Sequence, residues 1–100
     1  MRTIVRPLVL LSSLSLAVTA RSADRVAGVI VDQTGQLLPR AFVRVVDDTG
    51  GRVVSAFSDE HGGFDLPAPA ASCRVEAFLI GFEAASVPCS FAGAMRLVLA

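Results

Sequence analysis

The stretch Ser58-Asp59-Glu60-His61-Gly62-Gly63-Phe64-Asp65-Leu66 decides the fold. It begins as a polar turn and runs directly into an alternating segment. Gly62 and Gly63 permit the positive φ of a tight reversal. Asp59 can hydrogen-bond its own backbone two residues on and start the turn. Phe64 and Leu66 then point to one face and Asp65 to the other. This pattern marks the middle corner of a small β-sandwich, with strands on either side and the polar residues of the corner facing water.

The strands on both sides follow from β-branched runs separated by turn signals. Before the corner lie Arg25–Asp32, Ala41–Asp47 and Arg52–Ser58, divided by a turn at Gly35 and a hairpin signal at Asp48-Thr49-Gly50-Gly51. Pro39 cannot donate to a ladder, so it precedes the second strand. On that strand Ala41, Val43 and Val45 share one face, and Phe42, Arg44 and Val46 the other. After the corner come Gly63–Leu66, a loop with Pro67 and Pro69, then Cys73–Leu79, Glu83–Cys89 and Ala94–Leu99. Short strands every 8–12 residues indicate a sandwich or barrel.

The first twenty residues read differently. Arg2 and Arg6 give a basic start, Leu8–Val18 an apolar run, and Val18-Thr19-Ala20 a small-residue cleavage site. These are the three parts of a secretory signal peptide, residues 1–20, with cleavage expected after Ala20 and Ala23 as the alternative. The apolar run is shorter than the ~20 residues of a membrane span. No cysteine follows it, so a lipoprotein anchor is not indicated. Residues 25–100 are then the folded domain, and the expected compartment is periplasmic, outer-membrane associated or extracellular. Loss of Arg2 and Arg6 leaves seven arginines against nine acids, a net charge of −2. Without lysine or a basic stripe, nucleic acid is not an expected partner.

Cys73 and Cys89 make an even pair in a chain expected to be exported, which argues for a disulfide. The hairpin register sharpens this. With the turn centred on Gly81, Cys73 faces Cys89, Val75 faces Val87 and Ala77 faces Ala85, all on one side. A directly opposed, non-hydrogen-bonded pair would put the two Cα atoms ~4.5 Å apart, near the short end for a disulfide. The bond would tie the open end of the hairpin, worth ~3 kcal/mol in the chain-entropy view.

Several motifs together resemble one family. Val29-Ile30-Val31-Asp32-Gln33-Thr34-Gly35 and Leu38-Pro39-Arg40-Ala41-Phe42-Val43-Arg44-Val45 are similar to the opening of the carboxypeptidase regulatory-like domain. Ser58-Asp59-Glu60-His61-Gly62-Gly63-Phe64 resembles its Thr-Asp-Glu-x-Gly-x-Phe motif, and Gly81-Phe82 its later Gly-aromatic pair. The resemblance covers about residues 25–99. It implies an all-β, seven-stranded antiparallel Greek-key β-sandwich, transthyretin-like (prealbumin-like). Arg40 stands where the family has Gly, so a less tight turn is expected after Pro39. Ser58 replaces Thr, a mild change.

The resemblance implies an accessory or interaction domain rather than an enzyme, and no catalytic, cofactor-binding or metal residues are expected. Asp59, Glu60 and His61 form a polar turn rather than a reactive cluster, because no pocket partners are evident. A transthyretin-like hydrolase would need more histidines than the single His61. Asp32, Asp47 and Asp48 are expected to form turns rather than bind calcium. Phe42, Phe57, Phe78, Phe82 and Phe91 are expected mainly to pack the interior, with Phe78 the residue off the main face. The alternative for them is a patch for a protein or surface glycan. Two further functions remain: the N-terminal extension of a TonB-dependent outer-membrane receptor, and a carbohydrate-binding module.

Overall fold

A computed structural model describes residues 24–100. The expected signal peptide and its cleavage sites at Ala20 and Ala23 lie outside the described residues. Seven strands follow in order: β1 (Arg25–Asp32), β2 (Phe42–Asp47), β3 (Val53–Phe57), β4 (Gly63–Pro67), β5 (Cys73–Phe78), β6 (Ala85–Pro88) and β7 (Met95–Leu99). They form two sheets, a three-stranded β4-β1-β7 and a four-stranded β3-β2-β5-β6. Four of the pairings are antiparallel, as expected. The β1–β7 pairing is parallel, which corrects the expectation of a wholly antiparallel sandwich. The physical reason is the crossover after β6: the chain changes sheets there and returns beside β1 in the same direction.

The core lies between the sheets. Val26, Ile30, Phe64, Leu66, Leu97 and Leu99 come from the smaller sheet, and Val43, Val45, Cys73, Val75 and Ala77 from the larger. Alternation decides which side chains go in, since successive residues of a strand face opposite ways. On β5 the buried residues are Cys73, Val75 and Ala77; Arg74, Glu76 and Phe78 face out.

Gly28 lets β1 and β7 meet. It stands opposite both Phe64 and Met95. A Cβ at this position would lie 2.1 Å from the Met95 carbonyl oxygen. No side chain fits there, so the close approach of the two strands requires glycine.

The β5–β6 register is the expected one: Val75 stands opposite Val87 and Ala77 opposite Ala85. Cys73 and Cys89 are joined by a disulfide with a Cα–Cα distance of 5.3 Å. The Cys89 N–H donates to the Cys73 carbonyl at 2.8 Å. The pair is therefore a hydrogen-bonded one, not the closer non-hydrogen-bonded pair expected from the sequence. That phase opens the strands towards ~5.5 Å, within the range most disulfides adopt.

Candidate functional site

The polar corner Ser58–Gly62 is the most chemically tempting segment, and its geometry accounts for nearly every polar group in it. The Asp59 carboxylate accepts from the His61 N–H and the Gly63 N–H, both at 2.8 Å. The Gly62 N–H donates to the Asp59 carbonyl at 3.0 Å. Gly62 has φ of 75°. Its carbonyl accepts from the Ile30 N–H at 2.8 Å, and a Cβ on it would fall 2.8 Å from the Ile30 oxygen. The corner is thus pinned to β1. The Gly63 N–H, then the His61 N–H, hold the Asp59 carboxyl below the usual carboxylate range. Glu60 and His61 are exposed.

Ser58 departs from the expectation that this turn faces water. It is 3% exposed. Its hydroxyl donates to the Leu38 carbonyl and accepts from the Ala41 N–H, both at 2.8 Å. Arg40, between those two partners, has φ of 63°. The turn after Pro39 is therefore not loosened by the loss of glycine. Arginine adopts the left-handed conformation, and Ser58 helps hold it by accepting the Arg40 N–H at its carbonyl, 3.0 Å.

The same turn occurs three times, a recurrence that the sequence shows as Asp-x-x-Gly at Asp32–Gly35, Asp47–Gly50 and Asp59–Gly62. Each glycine donates to the carbonyl of its aspartate and has positive φ, 90°, 82° and 75° in order. Each carboxylate accepts the N–H two residues on. The Thr34 hydroxyl, then the Gln36 N–H, lower the Asp32 pKa. The Thr49 N–H, then its hydroxyl, lower that of Asp47. Asp32 ends β1 beside the Ser58 corner, whereas Asp47 ends β2 against the β4–β5 loop at the other end of the sandwich. The three aspartates weighed for calcium are thus not brought together.

The surface that remains unexplained is aromatic. Phe57 of β3, Phe42 of β2 and Phe78 of β5 stand side by side across the outer face of the larger sheet. Ring centroids are 5.5 Å apart for Phe42–Phe57 and 6.3 Å for Phe42–Phe78. This order matches the ladder phase, since a non-hydrogen-bonded pair sits closer than a hydrogen-bonded one. Phe57 is 67% exposed and Phe78 37%, with Ile80 beside them at 99%. Arg40, Leu79, Phe82 and Ala84 complete a shallow hollow around the row. Arg44 lies 5.4 Å from the Phe78 ring centroid and pairs with Glu76 at 2.6 Å, so one edge of the row is polar and held in place.

The expectation that these phenylalanines mainly pack the interior is corrected. Phe42, Phe57 and Phe78 all lie outside the sandwich, and Phe91 is exposed; Phe82 packs only partly against the core. The inner face of the larger sheet is filled by valine, alanine and cysteine, which leaves no room for rings there.

Comparison with known proteins accords with this architecture. The model of the carboxypeptidase regulatory-like domain matches residues 25–93. The chain belongs to that family. The carboxypeptidase regulatory-like domain is a non-catalytic β-sandwich fold. A solved structure, the Bacillus anthracis TIE protein, is similar in fold with a TM-score of 0.55 at 17% identity. The match covers 97% of this chain and 18% of that one, so the chain spans less than a fifth of the length of that protein. No curated protein matches the chain.

Proposed function

We propose that this carboxypeptidase regulatory-like domain is an exported, non-catalytic module that works by binding another macromolecule through its outer aromatic face. The observation that carries the proposal is the row Phe57–Phe42–Phe78 with Ile80, large apolar groups presented together to solvent. Contiguous exposed apolar groups rimmed by polar ones mark interaction surfaces. Aromatic residues contribute disproportionately at such surfaces, and arginine accompanies them at the rim. The apolar centre and the paired Arg44–Glu76 edge favour a protein partner over a glycan.

Capture from envelope extract tests this. The wild-type domain is expected to retain a partner that a Phe57→Ser/Phe78→Ser double variant does not. Removal of one aromatic anchor costs ~2 kcal/mol, roughly thirtyfold in affinity. Equal capture by both forms contradicts the proposal. Binding on a glycan array, abolished by the same substitutions, would instead assign the face to a carbohydrate. Export is tested separately: N-terminal sequencing of the protein from the periplasm or medium should begin at Arg21, or at Asp24 for the alternative cleavage. An unprocessed chain in the cytoplasm contradicts it. A plug and barrel encoded in frame would place the domain at the front of a TonB-dependent receptor.

A further inference from the structure

Among the described residues the two sheets have four edge strands, β4 and β7 on one and β3 and β6 on the other. Exposed edges are commonly blunted by charge or proline, which discourage pairing with another chain. β4 carries Asp65 and Pro67, β7 carries Arg96, and β6 ends in Pro88. β3, Val53-Val54-Ser55-Ala56-Phe57, carries neither a charge nor a proline.

The ladder phase shows which groups this edge presents. The Asp47 N–H donates to the Arg52 carbonyl, and the Ser58 N–H to the Ala41 carbonyl. Backbone groups alternate along a strand, so Val54 and Ala56 also face β2. The N–H and C=O of Val53, Ser55 and Phe57 therefore point away from the sheet. The side chains of the same three residues lie on the outer face, where Val53 is 54% and Phe57 67% exposed.

This edge is complementary to itself. In an antiparallel pair with a twofold axis at Ser55, Ser55 meets its own copy and Val53 meets Phe57 at both ends. Every outward N–H then faces an outward C=O, and each exposed phenyl ring packs on an exposed valine. A register shifted by one residue would place inward-bonded groups opposite outward ones. Isologous contacts of this kind close after two copies.

We infer that the domain self-associates through β3, joining two four-stranded sheets into a continuous eight-stranded one. One strand pair is small beside the ~1,600 Å² of a standard interface, so the dimer is a weak, concentration-dependent one. The inference uses the strand edge, whereas the binding proposal uses the whole aromatic row. Phe78, two strands away, lies outside the dimer contact, so the two can fail separately.

Sedimentation equilibrium of the protein as recovered from an export host should show the mass rising from monomer towards twice that value with concentration. Ser55→Pro removes an outward N–H without touching the β2 ladder, which an edge strand tolerates. It should leave the circular dichroism spectrum unchanged and the protein monomeric. Should that variant fail to fold, Val53→Lys, which sets a charged ammonium against the copy's Phe57 in place of the valine, decides the matter by the same loss of dimer. Phe78→Ser should still dimerise. Ser55→Cys should yield a covalent dimer on oxidation, because a hydrogen-bonded pair spans ~5.5 Å between Cα atoms. A wild-type protein that stays monomeric throughout, or a dimer that survives Val53→Lys, overturns the inference.

Discussion

At the scale of single residues, the departures from the family pattern are the most informative. Arg40 holds φ of 63° where the family has glycine. A non-glycine residue pays ~1–2 kcal/mol in the left-handed region, partly offset by the greater unfolded freedom of glycine. Arg40→Gly should therefore raise stability by about 1 kcal/mol in urea unfolding; a loss would show that the arginine side chain contributes more than its backbone costs. Ser58 carries the opposite lesson. Ser58→Ala leaves the buried Leu38 carbonyl and Ala41 N–H without their partner and should cost about 2 kcal/mol. Ser58→Thr keeps the hydroxyl and should lie close to wild type. The turn at Asp59 was legible in the sequence because its aspartate and glycine are local features. The burial of Ser58 was not, since its partners are twenty and seventeen residues away.

The three aspartate turns also set the response to acid. Asp32, Asp47 and Asp59 all have pKa values below the ordinary ~3.9, because N–H and O–H donors favour the charged form. The unfolded chain binds their protons more readily than the folded one. Their contribution is thus fully present above the unfolded pKa and is lost as pH falls through the folded values. Melting temperature should be flat from neutral pH to about 5 and drop below about 4. Asp59→Asn should lower the neutral-pH value and flatten the acid limb; an unaltered acid limb in that variant would contradict the assignment.

At the scale of elements, the positions of the seven strands along the chain were legible throughout, and their faces only in part. All seven runs alternate or end at glycine, proline or aspartate, so their positions follow from local chemistry. β2, however, is apolar on both faces: Val43 and Val45 on one, Phe42 and Val46 on the other. Size suggested that rings belong inside, and packing decided otherwise. A usable signal was present, because Arg44 and Glu76 share parity with Phe42 and Phe78 in the same register. The parallel β1–β7 pairing was hidden because it depends on the crossover after β6. Gly28, a member of an unremarkable apolar run, was likewise silent until β7 lay beside it. Gly28→Ala should destabilise by about 3 kcal/mol, as overpacking against backbone that has little room to move. Chemical denaturation measures this, and a near-neutral result would mean that β1 and β7 can separate without loss.

At the scale of the whole molecule, a sandwich of this small size depends on its cross-link. The disulfide closes a sequence separation of 16 and ties β5 to β6 at the edge of the larger sheet. A Cys73→Ala/Cys89→Ala double variant should lose about 3 kcal/mol. Thiol titration of the unfolded, unreduced protein should find no free thiol. The same architecture separates the two surfaces that compete for a functional role. The Ser58–Gly62 corner engages its backbone groups and the Ser58 and Asp59 side chains within the turn, with β1 and with the Leu38–Ala41 turn, whereas the aromatic row leaves its apolar area to solvent. The central claim, that this domain binds through the row and not through the corner, is tested most directly by amide chemical-shift mapping of the labelled domain with its captured partner. Perturbations should centre on Phe42, Phe57, Phe78 and Ile80. A map centred on Asp59, Glu60 and His61, with the aromatic face unchanged, would contradict the account.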